Sequence, residues 1–361
     1  MSLTNNSYEG VHCYDEWTPL KEVLLASVLG ANHTVDATFR CFYGKTTVGA
    51  DVHHFSLSDD LIYRRQAEFQ GLKTVLESRG VIVREQQRYE FLTPFSTPYW
   101  KAYSRPSDNP RDQILVLGDT LVETPPVVRD RYFENDVWKP VFYSAFQEGA
   151  RWIAAPRPMM LTPSYDPQWH SDLEPYSHGE CSPIKGPGVE MMFDAAQVLK
   201  VGLDVVMNVR NANDRLGFQW LCREFPQYRW HSIYLGEDAD HIDGELTILR
   251  PGLLLVGHNV YERPECLPAF MQSWDRVVMA DTAEHLQGLQ LASEGIYVNA
   301  LAIDENTVCM NAAAVKTIKA LEARGLTVIP VEFHDSTAFG GGLHCATLDI
   351  HRSGNLEDYS G

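Results

Sequence analysis

Cys345 stands directly after the run Gly340-Gly341-Gly342-Leu343-His344 and ahead of the short apolar stretch ATLDIHR. Glycines permit positive φ and close approach of backbone, and a following strand holds a thiol rigidly, so Cys345 reads as a nucleophile. A lone cysteine is more often inert packing, and the company this one keeps upstream argues against that. Asp112, Asp194, the pair His241 and Asp243, and Asn299 each stand where an apolar hairpin begins. One thiol, one histidine and three aspartates in one pocket suit nucleophilic catalysis on a cation: the thiolate attacks, the histidine exchanges protons, and one carboxylate orients the histidine. The other two carboxylates match the fixed N–H fork of a planar guanidinium. Aspartate at a strand start is also a common turn residue, but its recurrence at equivalent positions makes that reading improbable for all of them together.

Repeated elements are needed to bring these residues together. Two apolar runs flank a turn in SDNPRDQILVLGDTLVETP, EMMFDAAQVLKVGLDVVMN, HIDGELTILRPGLLLVGHN and VNALAIDENTVCMN, with turns at Gly118-Asp119, Lys200 to Gly202, Pro251-Gly252 and Asp304 to Asn306. Each hairpin is followed by a helical pattern and one further strand. The helices are expected over 129–150, where Pro140 must kink or divide the pattern, over 213–225, over 264–273, and over 312–325, capped by Asn311 and ended by Gly325. The strands are expected at WIAAPRP, WHSIYL, RVVMA and LTVIPVEF. The N-terminal part begins with a strand in EWTPLKEVLLASV and continues through an irregular loop over 30–55. A helix capped by Ser58 and stopped by Gly80, and a strand at VIVRE, complete it. Hairpin, helix and strand recur at a period of about 45 to 80 residues, which predicts modules around an axis with their strand starts facing one cavity. Cys345 is where the chain returns to close the ring against the N-terminal strand.

Composition narrows the class. The chain has 361 residues, 44% hydrophobic and 22% charged, enough for a large core. No segment approaches the roughly 20 apolar residues of a membrane-spanning helix. MSLTNNSYEGVHCYDEW shows no basic-then-apolar leader, and the seven cysteines are scattered with no C-x-x-C pair, so a reducing, cytoplasmic setting is expected. A net charge of −18 disfavours nucleic acid and anionic membrane as partners and suits a cationic small molecule.

PRDQILVLGDTLVE, FDAAQVL, HIDGELTILRPG and GGGLHCATLDIHR together resemble the successive motifs of the arginine-dependent amidinotransferases, in order, from about residue 14 to 352. The family includes glycine amidinotransferase and bacterial enzymes of streptomycin and guanidino-toxin biosynthesis. The resemblance implies one catalytic domain over 1–361, with a short polar tail at about 1–12, folded as a pseudo-fivefold α/β-propeller. It implies that Cys345 attacks the guanidino carbon of L-arginine held by Asp112 and Asp243. His241, oriented by Asp194, then protonates the departing ornithine, and the amidino-cysteine passes its group to a small primary amine. Neither cofactor nor metal is needed, and a homodimer is expected because family members are commonly dimers.

Arg263, in NVYERPE, is the nearest match to the family's carboxylate-binding arginine, at a spacing longer by a few residues. Asn299 is placed with the substrate-binding group, preceded by Tyr297-Val298 where glycine-type enzymes carry a small hydroxyl residue. Asp240, with Asp238 in the acidic EDAD before His241, either meets a polar or cationic acceptor larger than glycine or is a solvated loop carboxylate. The loops 30–55 and 156–188 are candidates for shaping the acceptor pocket. The competing readings are hydrolysis of arginine to citrulline on the same fold, glycine as the acceptor, and a non-catalytic arginine-binding protein with an idle thiol. The glycine run lacks the strand-to-helix setting of a dinucleotide fingerprint.

Overall fold

A computed structural model describes residues 10–29, 58–86, 94–104, 106–161, 189–236, 239–283 and 291–360. The loop expected over 30–55, nearly all of the 156–188 stretch, and Asp238 lie outside the described residues.

The N-terminal part forms β1 (Leu20–Leu25), α1 (Asp59–Ser78) and β2 (Ile82–Glu85). Ser58 caps α1 by accepting the Leu61 N–H at 3.2 Å, and the buried stripe Leu61, Phe69, Leu72 and Leu76 faces β1. A short antiparallel pair, β3 (Pro94–Ser96) and β4 (Lys101–Tyr103), follows; its sequence shows neither clear alternation nor a turn dipeptide. Next come α2 (Pro110–Gln113), β5 (Ile114–Leu117), β6 (Thr120–Glu123), α3 (Lys139–Gln147) and β7 (Arg151–Ala154). The third unit is β8 (Val198–Val201), β9 (Asp204–Asn208), α4 (Ala212–Glu224) and β10 (Arg229–Ile233). The fourth is β11 (Leu246–Arg250), β12 (Leu253–Val256), α5 (His258–Glu262) and β13 (Asp275–Val278). The fifth is β14 (Leu301–Asp304), β15 (Thr307–Asn311), α6 (Val315–Glu322) and β16 (Thr327–Val331). Finally α7 (Ser336–Phe339) leads to β17 (Thr347–Arg352).

Five three-stranded sheets share one topology: an antiparallel pair whose inner member also pairs in parallel with the third strand. Four are consecutive in sequence. The remaining one has order β17-β1-β2, so the strand after Cys345 pairs antiparallel with β1. The five-module reading of the sequence therefore holds at the level of α/β sheets.

Burial falls from the first strand of each sheet to the third. In β5, β6, β8, β9, β12 and β15 every residue is buried, and their near-continuous apolar runs (ILVL, VLKV, LLLV) are what strands covered on both faces require. β7, β10, β13 and β16 are mostly half-buried or exposed. The first strands of the four consecutive sheets are thus buried throughout or in all but their last residue, and their starts carry the polar residues.

Three local expectations are corrected. The helical pattern over 129–150 forms two 3₁₀ turns before α3, which Pro140 opens in its first turn, where a missing N–H costs nothing. In place of a helix over 264–273 the structure has α5 earlier and two 3₁₀ turns, because Pro264 and Pro268 interrupt the ladder. Asn311 ends β15 and accepts the Ala313 N–H at 3.0 Å, whereas α6 begins after Ala314 with no side-chain cap.

Candidate active site

The same local device recurs at four of the sheets: one helical turn delivers a polar residue to the start of the first strand. Asp112 lies in α2 before β5, and Asp194 opens the turn Ala195–Gln197 before β8. His241 opens the turn Ile242–Gly244, which contains Asp243, before β11, and Asn299 closes the turn Ile296–Val298 before β14.

At the fifth sheet the glycine run takes that place, and each glycine answers a different need. Gly340 ends α7 in the left-handed region at φ +72°. A Cβ on Gly341 would lie 2.0 Å from Asn109 Oδ1 and 3.0 Å from Cys345 Cβ. A Cβ on Gly342 would lie 2.7 Å from that of Asn299 and 2.9 Å from the Asn299 carbonyl oxygen. The closeness lets Asn299 clamp Cys345. Its Oδ1 accepts the Cys345 N–H at 2.9 Å, and its Nδ2 donates to the Asp243 carbonyl at 3.0 Å and lies 3.1 Å from the Cys345 sulfur.

Cys345 is buried, with Sγ 3.3 Å from Asp243 Oδ2. That oxygen also meets His344 Nδ1 at 2.8 Å, while Asp243 Oδ1 is buried with no hydrogen-bond partner among the described residues. Asp112 repeats the arrangement. Its Oδ2 accepts from Arg131 at 2.8 Å, and its Oδ1 is buried without a hydrogen bond, 3.6 Å from His241 Nδ1. Arg131 is itself held by Glu134 through two contacts, at 2.6 and 3.0 Å. His241 Nε2 meets Asp194 Oδ2 at 2.9 Å, and Gln113 Nε2 donates to Asp194 Oδ1 at 2.6 Å.

The carboxylates favour the protonated form of both proton carriers. Burial raises the Cys345 thiol pKa well above its ordinary value, and Asp243 and Asp112 add to that. Burial opposes charge on His241, yet Asp112 and Asp194 outweigh it and raise its pKa to about 9. Burial likewise opposes ionisation of Asp243, but His344 and His241 hold its carboxyl below the usual range. Asp112, with less compensation for its burial, lies above that range.

Six residues singled out in the sequence thus fall in two groups that feel each other's charge: Cys345, Asp243 and Asn299, joined by hydrogen bonds, and Asp194 and Asp112, joined through His241. Asp240 borders the second and is engaged by Arg210 Nη1 at 3.0 Å, so it is no freely solvated loop carboxylate. Arg263 stands apart, following α5 and donating from Nη2 to the Leu235 carbonyl at 2.7 Å. Four further residues support the two groups: His344, Arg131, Gln113 and Arg111. His344, Gln113 and Arg111 are sequence neighbours of Cys345 and Asp112, but that adjacency does not say what they bind.

The chain resembles the amidinotransferase SxtG from Microseira wollei, of the saxitoxin biosynthetic pathway, with 33% identity, a TM-score of 0.84, and coverage of 97% of this chain and 99% of that one. It is 30% identical over 299 residues to the L-arginine:L-lysine amidinotransferase of Pseudomonas savastanoi pv. phaseolicola, covering 81% of this chain and 80% of that protein. A DDAH from Pseudomonas aeruginosa, solved with citrulline, shares the fold alone: 13% identity and a TM-score of 0.58 over 91% of this chain and 99% of that one. No family model matches the chain. Fold and likeness together define an α/β transferase. The chain belongs to the amidinotransferase family.

Among the described residues, no helix is long and apolar enough to cross a membrane, and no group of three or more His, Cys, Asp or Glu is arranged to hold a metal ion.

Proposed function

We propose that this protein moves the amidino group of L-arginine to a small primary amine, by a ping-pong route through an amidino-cysteine at Cys345, in the biosynthesis of a guanidino natural product. The observation that carries the reading is the pair of buried, unbonded carboxylate oxygens, Asp112 Oδ1 and Asp243 Oδ1, beside a buried thiol. A guanidinium supplies N–H donors to both oxygens and adds positive charge beside two buried carboxylates.

Its arrival also changes the proton balance. A cation between the carboxylates lowers the thiol pKa that they raise, so Cys345 is activated by the substrate it attacks. The Sγ–C bond forms, the C–N bond to the ornithine side chain breaks, and His241 gives its proton to the departing nitrogen. The thiol's proton leaves to solvent as the guanidinium binds, so His241 ends this half-reaction neutral and free to act as a base in the next. The acceptor amine reverses these steps, with His241 as base. Asp194 orients His241, Asn299 fixes the sulfur, Arg263 takes the arginine carboxylate, and Asp240 faces the acceptor.

The name of the L-arginine:L-lysine relative supports arginine as donor and an amine as acceptor, and that of SxtG supports a biosynthetic role. The five sheets of equal topology support a pseudo-fivefold propeller acting as a single domain over 1–361. A homodimer in the cytoplasm completes the reading. The test is intact mass after mixing the protein with L-arginine alone, with ornithine and citrulline assayed in the supernatant. One added amidino group with one equivalent of ornithine is expected. Steady citrulline release would make water the acceptor, and no adduct with no product would overturn the reading.

A further inference from the structure

His344 is almost wholly buried and is held from all sides. Its carbonyl accepts from Arg111 Nε at 2.8 Å, and its N–H donates to the Asn299 carbonyl at 3.4 Å. Its ring spans two carboxylates: Nδ1 is 2.8 Å from Asp243 Oδ2, and Nε2 is 3.4 Å from Glu16 Oε2. Glu16 in turn pairs with Lys200 at 2.8 Å and with Arg111 at 3.6 Å, and Arg111 pairs with Asp349 at 2.8 Å. A network of buried charges therefore ends on one oxygen of Asp243.

A carboxylate has two equivalent oxygens, and an unrestrained one rotates to whichever donor is strongest. Here Oδ2 already has two neighbours, His344 Nδ1 and the Cys345 sulfur, whereas Oδ1 has no hydrogen bond. We infer that His344 is a positioning residue for Asp243: by holding Oδ2 it fixes the plane of the carboxylate and presents Oδ1 to the guanidinium of the donor. This rests on the reading that Asp243 receives a guanidinium. A carboxylate oxygen only accepts, so Nδ1 carries a proton toward Asp243, as Nε2 does where it donates to Glu16. Without that bond Asp243 turns toward the thiol, and the cation meets a carboxylate of the wrong orientation.

The two ring nitrogens can be tested separately, because an asparagine amide takes the place of Nδ1 and a glutamine amide reaches toward that of Nε2. Calorimetric titration of L-arginine into Cys345→Ala, and into the same protein with His344→Leu, His344→Asn or His344→Gln, measures binding without turnover. Ornithine release by the corresponding single variants measures the first half-reaction. Loss of a charge-assisted hydrogen bond predicts a Kd raised about ten- to a hundredfold in the leucine variant. The asparagine variant recovers to within about threefold of the parent, and the glutamine variant does not. Equal binding by the parent and the leucine variant would overturn the inference while leaving the transferase reading intact. So would recovery by glutamine and not by asparagine, which would move the role to Glu16. Absence of arginine binding in the Cys345→Ala parent, with no ornithine from the unaltered protein, would remove the reading and the inference together.

Discussion

The two sides of the site use carboxylates in the same way and hold them differently. On the Cys345 side, Asp243 is fixed by His344, and behind it lie Glu16, Lys200, Arg111, Asp349 and Arg352, all buried and paired. On the His241 side, Asp112 is held by Arg131, itself paired with Glu134, and Asp194 by Gln113 and His241, a shorter chain of partners. The difference shows in the charges: Asp243 stays below its usual pKa range, whereas Asp112 is pushed above it. One carboxylate is a fixed anion, and the other is closer to taking a proton. The proposed reaction, which binds a cation and passes protons, gains from having one of each.

The largest break in this comparison is Cys345→Ala. Ornithine release falls by at least about 10⁴-fold, because the nucleophile is gone, while calorimetry still registers arginine binding to the two carboxylates. Unchanged ornithine release would remove Cys345 from the mechanism. Asp194→Asn cuts the first half-reaction by about 10²- to 10⁴-fold, with little change in arginine affinity, since it disables the His241 side and spares the cradle. A drop in affinity equal to the drop in rate would count against that division.

Asp243→Asn sharpens the comparison from the other side. Arginine affinity falls about tenfold or more, and with the anion gone the Cys345 pKa falls, so iodoacetamide alkylates it faster near neutral pH. Slower alkylation would mean that Asp243 does not hold the thiol proton. The smallest effect is on stability. The pKa of His241 is raised from 6.5 to about 9, so its contribution is whole below pH 6.5 and is lost as pH rises through about 9. The gap in melting temperature between the protein and His241→Gln therefore narrows by a few degrees (about 2–4 °C) over that window. A gap that widens with pH would reverse the sign of the shift.

Asp112, Asp194, His241, Asp243, Asn299 and Cys345 were legible in the sequence because each hairpin is marked by its own turn glycines or short polar loop, and a strand start is a local property. Gly118, Gly202 and Gly252, all at positive φ, are such marks. His344 and Arg131 were not legible. Their importance comes from partners 101 and 19 positions away, Asp243 and Asp112, and no local pattern encodes such pairs. The α5 region misled for a related reason: its apolar spacing fits a helix, and only the two prolines say where the helix cannot be. Arg263 was found by likeness of motif, but its place in the fold follows from the Leu235 carbonyl, which the motif does not mention.

The pairing of β17 with β1 has a consequence for the order in which the molecule becomes reactive. Leu25 and Thr347 are partners across almost the whole described chain, so theirs is among the contacts of longest sequence separation and is costly to form early. Asp112, Asp194, His241 and Asp243 belong to sheets made from neighbouring segments, whereas the sulfur is seated only when the two distant strands join. A half-assembled chain holds Asp112, Asp194, His241 and Asp243 without an aligned Cys345, so on the proposed mechanism the pairing of these strands and the onset of reactivity are a single event.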